Sequence, residues 1–240
     1  MLRLGIIGGM GPFASAELYN KILHKTLAES DNDHLHIIID SNNTIPDRTA
    51  AILGRGPSPL PMLIESGKRL NEMGAELLAL PCFSSHYYLS ALQNKLEIPI
   101  VSMIDTTVAH LKRNGINSVV LLQAEGLAKS GIFERALKSE GIIPVLPDKD
   151  GMRLLMELIY LGVKANRSDY DVRAFIGFCD NAINKGASHF LLGCTELPIA
   201  FRRYSINYPV IDTLSIYAEA IIIKAGAKLR TREGISLSNA

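Results

Sequence analysis

Short apolar runs alternate along this chain with longer stretches whose apolar residues recur at helical spacing. Leu4–Ile7, His36–Asp40, Leu77–Leu80 and Ile100–Met103 are rich in Ile, Val and Leu and predict strands buried on both faces. Between them, Ala14–Glu29, Leu60–Met73 and Ser85–Asn94 predict amphipathic helices. The pattern then restarts. Ser118–Leu122, Ile143–Leu146, Phe190–Leu192 and Val210–Ile211 predict strands, with helices over Gly131–Glu140, Gly151–Tyr160, Asp169–Lys185 and Ile216–Ala227. Such alternation specifies an α/β fold in which mainly parallel sheets are flanked by helices.

The second half repeats the first. Met73-Gly74-Ala75-Glu76-Leu77-Leu78-Ala79-Leu80-Pro81-Cys82 lines up with Lys185-Gly186-Ala187-Ser188-His189-Phe190-Leu191-Leu192-Gly193-Cys194, and Gly-Ala and Cys recur at one shared offset. Ile98-Pro99-Ile100-Val101 and Tyr208-Pro209-Val210-Ile211 match at nearly the same offset. Two pseudo-symmetric lobes follow. Residues 1–104 form one, joined by 213–240 as the last helix returns to it, and residues 105–212 form the other. Leu229 to Ala240 is polar and unpatterned and is expected to fray. Ligands of open α/β sheets bind beyond the carboxyl ends of the strands, so the active site is expected in the cleft between the lobes.

Composition narrows the class. The chain has 240 residues, 48% hydrophobic and 20% charged, as expected of a soluble globular protein. A net charge of +1 offers no field for nucleic acid or an acidic membrane. No apolar run approaches the ~18 residues of a membrane span. The apolar stretch after Met1-Leu2-Arg3 runs into Gly8-Gly9-Met10-Gly11-Pro12, a strand and turn in place of a signal peptide. Three cysteines, with Cys179 unpaired in the pattern, do not make a disulfide framework. A reducing cytoplasm is the expected home.

The paired cysteines lead the chemistry. A cysteine between a strand and a helix sits near unpaired backbone N–H groups, which favour thiolate. One such cysteine is as well explained as a small core residue. Two in matched register point to two sulfurs facing one cleft, an arrangement suited to moving a proton from one face of a carbon to the other. The turn from Gly8 to Ser15 can receive an anion, or can simply allow tight strand–helix packing. Gly9-Met10-Gly11-Pro12-Phe13-Ala14 also fits a loose dinucleotide fingerprint, but Asp40 lies farther along than the usual roughly 20 residues.

The segment Ser41-Asn42-Asn43-Thr44-Ile45-Pro46-Asp47-Arg48-Thr49 follows a buried strand and so lies at the cleft. Arg48 there can grip a carboxylate through two parallel bonds, or pair with Asp47 at the surface. Lys164 reads by default as a solvated lysine. His86, four residues after Cys82, has no third ligand at metal spacing and reads as a helix residue orienting polar groups. Glu196, two after Cys194, can polarise the thiol, cap a helix, or do both.

Together these segments resemble the aspartate/glutamate racemase family, the cofactor-independent amino-acid racemases. The resemblance rests on Gly8-Gly9-Met10-Gly11-Pro12, Ile45-Pro46-Asp47-Arg48-Thr49 and Gly193-Cys194-Thr195-Glu196-Leu197-Pro198, and runs from Leu4 to about Ala225. It implies a two-base mechanism without pyridoxal phosphate or metal, in which Cys82 and Cys194 exchange protons with opposite faces of the α-carbon. Arg48 and Lys164 match the family's holders of the distal carboxylate. Met10, Gly11, Ser84 and Thr195 would supply donors to the α-carboxylate, and Asn42 is likewise expected to bind substrate. A homodimer is implied.

The chain also departs from the family. Phe83-Ser84-Ser85-His86 stands where Asn-Thr-Ala-His is usual, so Phe83 replaces an amide that contacts substrate. Gln123-Ala124-Glu125-Gly126-Leu127 replaces Ala-Thr-x-Gly-Thr and loses both hydroxyls, while Ser130 keeps its family place. These losses should alter recognition and favour a less polar or larger side chain. Other expectations stay open: an isomerase or lyase of small dicarboxylates, a non-catalytic amino-acid- or dicarboxylate-binding protein, and a nucleotide-dependent oxidoreductase.

Overall fold

The computed structural model describes residues 1–230. In the first half, β1 (Leu4–Gly8) turns through glycines into α1 (Pro12–Lys25). β2 (Ile37–Ser41) precedes α2 (Arg48–Ile52) and α3 (Leu60–Glu72), and β3 (Leu77–Ala79) leads to a 3-10 turn at Phe83–Tyr88, α4 (Leu89–Gln93) and α5 (Met103–Arg113). In the second half, β4 (Ser118–Gln123) is followed by α6 (Glu125–Ser130), α7 (Ile132–Ser139) and β5 (Ile143–Val145). Next, α8 (Lys149–Glu157) runs on into a π-helical turn, Leu158–Lys164, before α9 (Arg173–Asn184). Then come β6 (Phe190–Gly193), α10 (Leu197–Arg203), β7 (Val210–Ile211) and α11 (Thr213–Lys224).

All pairings within the two sheets are parallel, in the orders β2-β1-β3 and β5-β4-β6-β7. A parallel bridge from Leu78 to Ile100 adds to the first sheet what β7 adds to the second. The repeat reaches individual bonds. Leu78 N–H donates to the Pro99 carbonyl at 2.8 Å, and Phe190 N–H donates to the Pro209 carbonyl at 2.9 Å. Strands such as β1 are buried throughout because helices cover both faces. Gly9, at φ +88, closes the first turn; a Cβ there would come within 2.3 Å of the Asn42 backbone.

One apolar core links the two sheets. Leu4, Ile6 and Val101 share it with Val119, Leu121 and Phe133, and α11 adds Leu214, Tyr217, Ile221 and Ile222. Each such side chain stabilises the fold by about 1.5–3 kcal/mol through burial. α11 lies against α1, where Lys25 pairs with Glu219 at 2.7 Å and Lys21 with Asp212 at 2.8 Å.

Several expected elements differ in detail. Ile100–Met103 supplies one bridge and no further strand, because Ser102 caps α5 by accepting from Asp105 N–H at 3.1 Å. Ser85–Asn94 is split into the 3-10 turn and α4. The sequence pattern passed over α2, α5, α6 and α10. At the C-terminus, Leu229 is not frayed: it bridges Thr26 in antiparallel fashion, and Arg230 N–H donates to the Lys25 carbonyl at 2.8 Å. The rest of that segment lies outside the described residues. Among the described residues no helix is long and apolar enough to cross a membrane.

Candidate active site

Both cysteines stand just past strand ends. Cys82 follows β3 and starts the 3-10 turn, with its carbonyl accepting from Ser85 N–H at 3.2 Å. Cys194 follows β6 and starts the turn into α10, with its carbonyl accepting from Leu197 N–H at 3.0 Å. Their buried side chains line one chamber of about 20 Å³. Met10, Ser84, Thr195, Arg48, Lys164 and Glu196 share its walls. Outside lies a vestibule of about 440 Å³ whose lining includes Gly11, Phe13, Asn43, Ile45 and Val163. Asp47, Arg48, Lys164 and Glu196 line both spaces.

Arg48 is buried, not at the surface with Asp47, and is held from behind. Its Nη1 donates to the Ile45 and Pro46 carbonyls at 3.2 and 2.9 Å, and its Nη2 donates to the Met10 carbonyl at 2.9 Å. Its Nε is buried without a partner. Burial opposes the guanidinium charge, but Cys82, Asp47 and Glu196 around it hold its pKa above the ordinary value. Lys164 ends the π-helical turn, a device that recurs at functional sites. Its ammonium lies 3.0 Å from Glu196 Oε1 and 5.5 Å from the centre of the Tyr160 ring. Burial works against that charge, and Glu196 with the two cysteines outweighs it, so the pKa is raised.

Cys194 donates its S–H to Glu196 Oε2 at 3.1 Å, and Thr195 Oγ1 donates to the same oxygen at 3.3 Å. Burial and the Glu196 charge push the Cys194 thiol well above its usual range. Glu196 responds in the opposite sense: burial raises its pKa, but Lys164 and the Cys194 S–H hold it below the ordinary carboxylate value. At neutral pH Cys194 is therefore the protonated member of a thiol–carboxylate–ammonium chain.

His86 sits behind the other cysteine. Its Nε2 accepts from Met103 N–H at 2.8 Å, so the ring proton is on Nδ1, which donates to the Cys82 carbonyl at 3.0 Å. Burial drops its pKa to about 4 and keeps the ring neutral. The described residues contain no group of three or more His, Cys, Asp and Glu that could hold a metal ion.

Other expected residues lie elsewhere. The Asn42 side chain accepts from Thr44 N–H and hydroxyl at 3.0 and 2.7 Å, and Asn43 lines the vestibule in its place. Ser130 donates to the Leu127 carbonyl at 2.6 Å and lines neither space. Phe83 borders the chamber, but its ring stacks on Phe133 with centroids 4.9 Å apart, in the core that also buries Leu127. Ala124 lines the chamber where a hydroxyl is usual. The sequence weighed Asp47 only as a surface partner of Arg48 and did not point to Tyr160: Asp47 accepts from the Tyr160 hydroxyl at 2.9 Å, and both line the chamber. Asp47 stood in the quoted motif, and Tyr160 precedes Lys164 by one turn. A separate cavity of about 320 Å³, lined by Val119, Val145, Phe178 and Lys185 among others, holds neither cysteine.

A chamber lined by two thiols and two cations equips a protein to move a proton at carbon. The chain belongs to the Asp/Glu/Hydantoin racemase family, whose model matches residues 7–221, and it is an isomerase of the racemase class. The broad specificity amino-acid racemase RacX of Bacillus subtilis (strain 168) is 23% identical over 225 residues, 91% of this chain and 96% of that one. Among solved structures, the Picrophilus torridus aspartate racemase is 30% identical with a TM-score of 0.83, covering 95% of this chain and 96% of that one. An aspartate racemase homologue from Pyrococcus horikoshii OT3 is 25% identical with a TM-score of 0.72, covering 94% of this chain and 100% of that one.

Proposed function

We propose that the protein racemises an amino acid, namely aspartate, glutamate or a related one, without a cofactor and with Cys82 and Cys194 as its two bases. The observation that carries this reading is the single chamber lined by both cysteines, Arg48 and Lys164. In one direction Cys82, as thiolate, takes the α-proton. The electron pair of the broken C–H bond moves into the α-carboxylate, and Cys194 delivers its S–H proton to the opposite face. The reverse direction exchanges these roles, and no electron is gained or lost overall. The developing charge needs preorganised donors, and Ser84 and the backbone N–H groups after each cysteine supply them, with the Thr195 hydroxyl turning to substrate from Glu196. Arg48 and Lys164 hold the substrate's distal carboxylate. His86 fixes the Cys82 carbonyl and thus the loop that aims the sulfur.

The chamber alone is far smaller than an amino acid, and Asp47, Arg48, Lys164 and Glu196, which it shares with the vestibule, mark the side on which the substrate enters. The division into residues 1–104 with 213–240, and 105–212, belongs to the same proposal, because it places one cysteine on each lobe. A cytoplasmic homodimer completes it, and sedimentation equilibrium checks the assembly state.

The test is proton exchange. Each of a panel of L- and D-amino acids is incubated with protein in deuterium oxide, with no added cofactor, and followed by NMR. Exchange at the α-position of an acidic or small polar amino acid is expected, and silence across the panel overturns the reading. A second reading, an isomerase or lyase of a small dicarboxylate, draws on Arg48 and Lys164 together with the apolar Phe83 and Ala124 on the chamber wall. Conversion of an unsaturated or hydroxylated diacid in place of amino-acid exchange would favour it.

A further inference from the structure

Two-base racemisation leaves the protein altered. Once Cys82 has taken a proton and Cys194 has given one, the free enzyme is loaded only for the reverse reaction. Resetting it requires Cys82 to release its proton to solvent and Cys194 to regain one, yet the Cys194 sulfur is buried in a chamber of about 20 Å³. Glu196 spans the gap. Its Oε2 accepts the Cys194 S–H at 3.1 Å, and its side chain lines both the chamber and the vestibule. Its Oε1 is 3.0 Å from the Lys164 ammonium and 3.5 Å from where a Cβ on Gly11, a vestibule residue, would lie.

We infer that Glu196 carries the Cys194 proton between chamber and vestibule and so resets the Cys194 side of the site between turnovers, while Cys82 gives up its own proton separately; this rests on the two-cysteine reading above. In the outward step the S–H bond of Cys194 breaks and its electron pair stays on sulfur. An O–H bond forms at Glu196 Oε2. The Lys164 ammonium, having lost its carboxylate partner, pairs with the new thiolate, and the total charge of the three groups is unchanged. Glu196 then gives the proton to water in the vestibule, and the reverse sequence reloads the sulfur. The charged and titratable groups around it are Lys164 and Tyr160 from the π-helical turn, Asp47 and Arg48 at the start of α2, and Cys82 just before the 3-10 turn. Gly11 offers no side chain that would block the path.

Glu196→Gln retains an acceptor for the S–H bond but cannot take up a proton. A defect in resetting the free enzyme lowers kcat and leaves kcat/KM largely intact. The expected result is a kcat loss of about 10²-fold, the usual worth of a positioned acid–base group, with much smaller change in kcat/KM. Added formate or imidazole should restore kcat in proportion to its concentration, and Glu196→Asp should keep part of it. If kcat and kcat/KM fall together without buffer rescue, or if kcat does not change, the relay is overturned. A substrate-free readout separates this from failure of racemisation itself. In Glu196→Gln, alkylation of Cys194 by iodoacetamide, mapped by mass spectrometry, should begin at lower pH than in the wild type because the neighbouring anion is gone. An unchanged profile would overturn the coupling even if no amino acid exchanges.

Discussion

The Tyr160 hydroxyl donates to Asp47 Oδ2 at 2.9 Å, while Asp47 Oδ1 accepts from Ala50 N–H at 2.8 Å. One carboxylate thus ties the start of α2, where Arg48 sits, to the π-helical turn that ends in Lys164. Burial, first, and the Asp47 charge push the Tyr160 phenol up to about 12, so the hydroxyl remains a donor across the working range.

Tyr160→Phe removes the link and leaves the cap of α2 in place. A hydrogen bond to a charged group is worth about 1.5–3 kcal/mol, and partial exposure puts the expected loss at the lower end. Urea denaturation checks that. In steady-state kinetics KM should rise more than kcat falls, because the two carboxylate holders lose their common brace.

Arg48→Lys keeps a positive charge but cannot span the Ile45, Pro46 and Met10 carbonyls. A buried group left unsatisfied costs about 1–3 kcal/mol, so the melting temperature should drop. Activity should fall by at least about 10²-fold, the scale seen when a preorganised donor is lost. An unchanged melting temperature would show that the carbonyl anchors are dispensable.

Phe83→Ala opens a cavity against Phe133 at the junction of the two sheets. The expected cost is about 3–5 kcal/mol, as for other buried aromatic truncations. Phe83→Leu, which preserves most of the volume, should cost less than half of that. Chemical denaturation of the pair measures the difference.

His86 makes stability depend on pH. Its pKa is about 4 in the folded protein against an ordinary 6.5, so the unfolded chain binds the proton more readily. The stabilisation is complete above about pH 6.5 and is lost as pH falls toward 4, by roughly 3 kcal/mol in all. Urea midpoints of the wild type and His86→Gln should therefore converge between pH 7 and pH 4.5. A gap that stays constant would remove His86 from the account.

The sheets were legible because β1, β2, β4 and β6 are dense in Ile, Leu and Val, and parallel strands covered on both faces leave that signature. α5 was hidden because it starts inside an apolar run, with only Ser102 to mark its cap. Of the site, the repeated cysteines and the motifs around Arg48 and Glu196 could be read locally. The bond from Tyr160 to Asp47 could not, since it joins distant segments and neither residue signals the other. The direction of the Phe83 ring was equally hidden: its partner, Phe133, lies in the other half of the chain.

α11 gives the fold an order of assembly. Tyr217 accepts from Leu80 N–H at 2.9 Å and donates to the Val101 carbonyl at 2.8 Å, pinning the strand end that leads to Cys82. A ribosome makes the first sheet early but releases Tyr217 only after the whole second sheet has been synthesised. The half of the molecule that emerges first is therefore the last to be finished, and a nascent chain cannot fix Cys82 in place until Cys194 is already outside the tunnel. A truncated chain lacking this helix would carry its first sulfur on an unpinned loop.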